Sequence, residues 1–71
     1  MKIYTVTYGQ NPVGIVRTED PASAIDFICA LCSGYSETSK FRAREPNRQE
    51  LKEFSAKAAS IPQDGGFGFL F

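Results

Sequence analysis

The fold is decided by residues 2–18, which read KIYTVTYGQNPVGIVRT. Residues 2–8 and 13–18 are rich in β-branched and aromatic types, and such segments favour strands. Residues 9–12 between them form a turn cluster, and a connection this short predicts a β-hairpin. Gly14 inside the second strand indicates a bulge or an edge position. Side chains alternate along a strand, and the expected core face of the first strand carries Tyr4, Val6 and Tyr8.

A first helix is predicted directly after the hairpin. Asp20 can accept hydrogen bonds from the free N–H groups of a helix start, and Pro21 suits the first helical position. Apolar residues then recur at helical spacing, and Gly34 is typical of a C-terminal stop. We therefore expect the helix to run from Pro21 to about Ser33. Its core stripe would contain Ile25, Ile28, Cys29 and Cys32, widened by Phe27 and Leu31.

A third strand is predicted for residues 40–45, where basic and apolar side chains alternate. Such alternation is typical of a strand with one face in the core and the other in water. Phe41 and Ala43 would face the core. The wet face would carry Lys40, Arg42 and Arg44.

Pro46 ends this strand, and a second helix is predicted after it. Asn47 can cap that helix, and Glu50 three residues on completes the pattern of a capping box. Pro62 would end the helix. Its narrow core stripe would consist of Leu51, Phe54, Ala58 and Ile61.

These elements predict one α+β domain that spans residues 1–71. Their order is β-β-α-β-α, followed by a possible short C-terminal strand, and we expect a small sheet with both helices packed on one face. Hydrophobic residues make up 42% of the chain and charged residues 23%, as in folded globular domains. The pattern leaves the strand order and the oligomeric state open.

The composition argues against catalysis and cofactor binding. The chain has no histidine, which removes the commonest general base and the commonest metal ligand. We therefore predict no enzymatic activity, no cofactor, no catalytic residue and no metal site. Cys29 and Cys32 form a C-x-x-C, but they lie on the apolar stripe two turns inside the helix, beyond the reach of its dipole. We expect core cysteines, with a redox dithiol or an intersubunit zinc site as the alternatives.

The chain also lacks the features of membrane and secreted proteins. No apolar run approaches the ~20 residues needed to span a bilayer. Residues 1–5 read as the start of a strand and not as a signal peptide. We expect a cytoplasmic protein with reduced cysteines and no membrane partner.

Three of the six phenylalanines fall in residues 67–71, named here the aromatic segment. Burying three phenylalanines stabilises a fold by roughly 5–9 kcal/mol, whereas fixing five backbone residues costs roughly 5–10 kcal/mol. Because these terms nearly cancel, docking depends on a further gain from strand pairing or from a partner. We expect the segment to dock on its own domain as a terminal strand or core lid. The alternative is pairing with the sheet edge of a partner, including a second copy.

Lys40, Arg42 and Arg44 form a basic cluster whose three cations could follow a phosphate backbone. The formal net charge of the chain is zero, which disfavours binding driven by phosphate neutralisation. Basic residues on a strand also serve simply to solvate a sheet and to discourage edge pairing. Nucleic acid is therefore the less favoured partner.

The strand-turn-strand-cap-helix pattern of residues 4–8, 13–16 and 20–25 resembles the opening of many small uncharacterised bacterial and phage proteins of ββαβα type. The resemblance covers roughly the first third of the chain, and its motif is structural, so it carries no site residue across. Small phage products of this kind include inhibitors of host defence such as anti-CRISPR proteins. These act by occluding a surface, and the resemblance implies the same mode of action here.

Together these observations favour a non-catalytic protein-binding module, encoded by a phage or mobile element, that inhibits or modulates a host protein by occluding a surface. The predicted partner-binding residues are Phe67, Phe69 and Phe71, with Lys40, Arg42 and Arg44 as a second surface. The alternative is a small nucleic-acid-associated protein that uses the second surface. A third hypothesis is a homodimer in which the aromatic segment exchanges between subunits.

Overall fold

A computed structural model of the chain describes residues 2–32, 38–60 and 66–71. It contains a four-stranded antiparallel sheet and two α-helices, which confirms the α+β prediction. A one-turn 3₁₀ helix, Thr38–Lys40, precedes the third strand. The elements are β1 (Lys2–Tyr8), β2 (Asn11–Thr18), α1 (Pro21–Leu31), β3 (Phe41–Arg44), α2 (Arg48–Ala58) and β4 (Phe67–Leu70).

The predicted hairpin is confirmed, with a tighter turn than expected. Tyr8 pairs with Asn11, so the loop contains two residues, and Asn11 and Pro12 already belong to β2. Gly9 has a φ of +64° and no non-glycine residue described has a positive φ. That combination is the backbone of a type II′ turn, which needs glycine at its first central position.

The strand order is β3-β1-β2-β4, with β1 and β2 in the centre. Val6 pairs with Gly14 while Thr7 pairs with Pro12, so Val13 is the extra residue of a bulge. The bulge that Gly14 indicated is therefore confirmed, with Val13 beside Gly14 as its extra residue, whereas the edge position is wrong. A Cβ at Gly14 would lie 2.6 Å from Ile28 Cδ1 and 2.8 Å from the Phe69 carbonyl oxygen. Glycine is thus needed at this central position because a helix and a neighbouring strand approach it closely.

Helix α1 begins where its cap residues predict. The Asp20 carboxylate accepts a hydrogen bond from the Ser23 N–H at 2.7 Å, and Pro21 is the first helical residue. The helix ends at Leu31, two residues before the expected end, and the Cys32 N–H still donates to the Ile28 carbonyl at 2.9 Å. Gly34 lies outside the described residues. Helix α1 packs on the sheet face that contains the hydrophobic core, which consists of Val6, Val16, Ala24, Ile28 and Phe41.

Helix α2 lies on the opposite face of the sheet, so the prediction that both helices share one face is wrong. Thr5 and Val6 are neighbours in β1 and therefore point to opposite faces. Val6 packs with α1, whereas the Thr5 hydroxyl donates to Glu50 of α2 at 2.9 Å. The physical reason is that α1 already covers one face of a small sheet. Helix α2, which lies between the two edge strands in the chain order, packs on the other face.

The start of α2 is confirmed but its predicted core stripe is partly wrong. Asn47 and Glu50 form the complete capping box. Phe54 is buried, with 2% of its surface exposed, but Leu51 is 39% exposed. Ala58 is half-buried, and Ile61 lies outside the described residues. Glu50 takes the buried position one turn before Phe54 because its carboxylate has partners on the sheet.

Candidate protein-binding surface

Strand β4 places most of the aromatic segment on its own domain. Residues Phe67–Leu70 pair antiparallel with residues 14–17 of β2, so the prediction of a terminal strand is confirmed. Phe67 and Phe69 are half-buried and point to the α2 face, where their ring centroids lie 5.6 and 6.1 Å from that of Phe54. Phe71 continues the row, with its ring 6.1 Å from that of Phe69. We name these four rings the aromatic cluster.

Two cations lie against the aromatic cluster. The Lys57 ammonium is 4.3 Å from the centroid of the Phe69 ring, and the Arg17 guanidinium is 5.8 Å from that of Phe54. Both distances suit attraction between a cation and the face of a ring. The cluster therefore holds β4 and α2 together on this side of the sheet.

The opposite side of β4 is flat because it carries Gly68. A Cβ at this position would lie 2.8 Å from Val16 Cγ2 and 3.0 Å from Phe27 Cε1. The ring of Phe27, in α1, therefore lies directly over the backbone of β4. The F-G-F alternation of residues 67–69 thus has a steric reason. The large rings face α2, and the lack of a side chain at Gly68 lets α1 approach the strand closely.

The outer edge of β4 is the unusual feature of this surface. Among the described residues, β4 pairs with β2 alone. The Phe71 N–H donates to the Val13 carbonyl at 2.9 Å, and hydrogen bonds alternate along an antiparallel pair. The N–H and C=O groups of Gly68 and Leu70 consequently point away from β2, toward the free edge. Edge groups of this kind form a template for pairing with another chain.

Large apolar side chains flank this free edge. Phe27 is 39% exposed, Leu70 38% and Phe71 48%. Phe27 and Leu70 lie on the α1 face and Phe71 on the α2 face, so both sides of the edge are apolar. We name these three residues the edge patch. Exposed apolar groups that lie together are typical of interaction sites.

Two shallow depressions adjoin Phe71 on the α2 face. The first has a volume of about 250 Å³, and the second about 490 Å³. Glu53 and Phe71 line both, so one acidic and one aromatic side chain separate them. The first is also lined by Pro12, Asn47, Gln49 and Glu50, and the second by Ala56, Lys57 and Phe69.

The three basic residues predicted as a second surface have different surroundings. Lys40 belongs to the 3₁₀ turn before β3, and its ammonium lies 5.9 Å from the centroid of Tyr8, a residue of the α1 face. Arg42 is exposed on β3. Arg44 forms a bidentate ion pair with Glu50, with N···O distances of 2.9 and 3.0 Å. The structure therefore divides these cations between the two faces of the sheet.

Glu50 is a buried polar residue that the apolar stripe did not predict. Its carboxylate accepts hydrogen bonds from Arg44, from the Thr5 hydroxyl at 2.9 Å and from the Asn47 N–H at 2.9 Å. The Arg44 hydrogen bonds are the largest cause that lowers the pKa of Glu50, and the same contact raises the pKa of Arg44. The capping box was the available signal, because it fixed the direction in which this side chain points.

The two cysteines are free and half-buried beside the α1 core. Burial, followed by the charge of Asp26, raises the pKa of the Cys29 thiol, which disfavours the reactive thiolate. In the described part of the chain, no three His, Cys, Asp or Glu side chains are grouped to hold a metal ion.

Comparisons with protein-family models, curated proteins and solved structures found no match. Within residues 2–32, 38–60 and 66–71, neither helix is long and apolar enough to cross a membrane.

Proposed function

We propose that this protein is a non-catalytic protein-binding module that pairs the free edge of β4 with an extended segment of a protein partner. Backbone hydrogen bonds from Gly68 and Leu70 would supply affinity. The edge patch would supply specificity, because it offers apolar contacts on both sides of the added strand. This is the recognition mode of proteins that bind peptides by strand addition.

The observation that carries the proposal is the coincidence of a free edge with exposed apolar side chains. Folded proteins commonly protect a sheet edge with lysine, proline or a covering loop. Among the described residues, β4 instead presents Leu70 and Phe71 at 38% and 48% exposure, with Phe27 beside them. A partner strand at this edge would cover these side chains and the outward backbone groups at once.

The three basic residues have a smaller role in this proposal. Arg44 is engaged by Glu50 at 2.9 Å, so its charge is largely neutralised for an outside phosphate. Arg42 remains exposed on the same strand face. We assign Lys40, Arg42 and Arg44 to the rim of a protein contact rather than to a phosphate track.

Occlusion is the mode of action that suits such a surface. Strand addition covers the partner segment and requires no chemistry, which agrees with the inhibitors of host proteins that the opening of the chain resembles. We propose a phage or mobile-element protein that acts in the cytoplasm and modulates a host protein by covering an exposed strand or peptide.

The test uses the immobilised protein and a displayed library of random peptides about ten residues long. We expect enrichment of peptides with alternating apolar residues. Their binding should be lost in Leu70→Lys and kept in Leu51→Lys. These positions are 38% and 39% exposed, so the two variants place the same charge at equally exposed sites, and only the first is at the edge.

Two further readouts separate strand addition from the other outcomes. Peptide binding should slow hydrogen exchange of the Gly68 and Leu70 amides. Added salt should change the affinity for the peptide little. No enrichment, or equal binding to both lysine variants, would overturn the proposal. An oligonucleotide that binds at low salt, weakens steeply as salt rises and is lost in Arg42→Ala would replace it with the nucleic-acid function.

A further inference from the structure

We propose that the strand added to β4 is the β4 of a second copy of this chain, antiparallel to the first, about a two-fold axis beside Phe69. This inference rests on the proposed function, because it uses the same edge, and a second copy on that edge would compete with the host segment. The pair would join two four-stranded sheets into one continuous sheet of eight strands.

The outward backbone groups select the register of this pairing. Gly68 and Leu70 of each copy point their N–H and C=O groups off the edge, so an antiparallel partner must place its own outward residues against them. The register centred on Phe69 puts Gly68 of the first copy opposite Leu70 of the second, and Leu70 of the first opposite Gly68 of the second. It creates two hydrogen-bonded pairs, each of which exchanges both N–H···O bonds, and leaves no outward group of β4 unpaired.

The α2 face of this register matches aromatic rings with aromatic rings. Phe69 would lie opposite Phe69 of the second copy, and Phe67 opposite Phe71. Directly opposite residues in a non-hydrogen-bonded pair have their side chains in contact. The 48% exposed ring of Phe71 would thus be covered by Phe67 of the second copy, and the aromatic cluster would continue across the axis.

The α1 face matches a missing side chain with a large one. Gly68 of one copy would lie opposite Leu70 of the other. The Phe27 ring already lies across Gly68, close to the position of its absent Cβ. Leu70 of the second copy would therefore contact Phe27, and two exposed apolar side chains would cover each other on each side of the axis.

The charges around β4 are complementary under the same symmetry. Glu53 lines the depressions beside Phe71, whereas Arg17 is the β2 neighbour of Phe67. A two-fold axis at Phe69 brings the acidic end of one copy to the basic end of the other. The Lys57 side chains of the two copies would approach each other near the axis. Each ammonium lies over the Phe69 ring of its own chain and has Glu53 one helical turn away, which offsets their like charges. The zero formal net charge leaves no overall repulsion.

This self-complementarity favours a second copy over an unrelated strand. One short segment carries both the large residue and the small one, and Glu53 of α2 and Arg17 of β2 place opposite charges beside its two ends. A two-fold interface requires that each residue meet its complement on the same patch. A pairing of four-residue strands belongs to the small interfaces, so the dimer should dissociate on dilution.

The test is sedimentation velocity of the full chain over a concentration series, with variants. We expect a monomer–dimer equilibrium in the wild type, a dimer Kd raised by at least about tenfold in Leu70→Lys, and no change in Leu51→Lys. Glu53→Lys should also weaken the dimer, whereas Glu45→Lys, the same charge change at another exposed glutamate, should not. Amide exchange at Gly68 and Leu70 should slow as the concentration rises.

The outcomes separate this inference from the proposed function. A wild type that stays monomeric, or a dimer that Leu70→Lys and Glu53→Lys leave intact, would overturn self-pairing. Larger open assemblies without a discrete dimer would overturn the two-fold arrangement. If the monomeric protein still binds displayed peptides through Leu70, strand addition stands with another partner. If it binds none, both proposals fail.

Discussion

Glu50 shows how a single charged residue joins two elements of this fold. It lies in the first turn of α2, yet its carboxylate is bound by Arg44 from β3, by Thr5 from β1 and by the helix cap at Asn47. Only 8% of its surface is exposed. A buried charge is tolerated when it is paired and its remaining lone pairs accept hydrogen bonds. Glu50 therefore fixes where α2 sits on the sheet.

We expect Glu50→Gln to lower the free energy of unfolding at neutral pH by about 1.5–3 kcal/mol, the usual contribution of hydrogen bonds to a charged group. Glutamine has nearly the same size and still suits a capping box, so the loss reports the charge. Glu53→Gln, an exposed residue on the same helix, should change stability by less than about 0.5 kcal/mol. Chemical denaturation measures both, and equal effects would contradict the role of Glu50.

The same variant should change the pH dependence of stability. Arg44 and the other donors hold the pKa of Glu50 below its ordinary value of 4.5. A carboxyl with a lowered pKa stabilises the fold fully above that value, and its contribution disappears as the pH falls through the pKa in the folded state. The stability difference between wild type and Glu50→Gln should therefore shrink on acidification below 4.5. A difference that is constant from neutral to strongly acidic pH would contradict this.

Leu51 and Phe54 show where helical periodicity was insufficient as a guide. Both lie on the apolar stripe, but Leu51 is 39% exposed and Phe54 is 2% exposed. The periodicity identifies an apolar side of the helix. It does not show which part of that side meets the sheet, and here the contacts of Glu50 and of the aromatic cluster decide the rotation of α2.

Alanine substitutions should separate these two residues. Phe54→Ala should cost about 3–5 kcal/mol, since it leaves a cavity beneath Phe67 and Phe69. This is a large share of the roughly 4–10 kcal/mol available to a domain of this size. Leu51→Ala should cost less than about 1 kcal/mol. Thermal or chemical denaturation measures both. A larger loss for Leu51→Ala would mean that α2 is rotated relative to the arrangement described above.

At the level of elements, the signals carried by local chemistry were the ones that predicted the structure well. The turn glycine, Asp20-Pro21, the Asn47 capping box and the alternation in β3 each act within a few residues. They therefore determine where elements begin without reference to the rest of the fold. The faces that the helices cover depend on contacts between distant residues, such as Thr5 with Glu50, and no local pattern specified them.

Gly14 is the residue at which β2 is approached closely by both α1 and β4. Gly14→Ala should destabilise the fold by about 1–3 kcal/mol, because the added Cβ would lie 2.8 Å from the backbone oxygen of Phe69. A strand carbonyl cannot retreat as a flexible side chain can. Gly66→Ala is the matched control, since its Cβ would meet the Arg17 carbonyl at an ordinary 3.6 Å. Chemical denaturation of both variants is the measurement, and equal stability would show that β4 shifts easily.

For the whole molecule, the main consequence of the β3-β1-β2-β4 order is that the sheet is covered on both faces. The expected core face of β1 carries Tyr4, Val6 and Tyr8, but Thr5 and Thr7 on its other face are also buried, at 0% and 6% exposure. A chain of 71 residues that spreads its core over two layers has few side chains in each. Strand β4 therefore contributes to both layers, since it supplies Phe67 and Phe69 to one and Gly68 to the other.

Deletion of residues 67–71 should consequently unfold the domain rather than merely remove a binding surface. Burial of Phe67 and Phe69 stabilises by roughly 3–6 kcal/mol, and their loss also exposes Phe54 and Ile15. That sum approaches the roughly 4–10 kcal/mol total expected for this size. Circular dichroism and the dispersion of amide NMR signals should show a largely unfolded chain. Phe71→Ala is the control: this ring is 48% exposed, so the fold should survive while association through the β4 edge weakens. A folded truncated chain would mean that the α1 core and the β1–β2 hairpin are sufficient, and that β4 serves association alone.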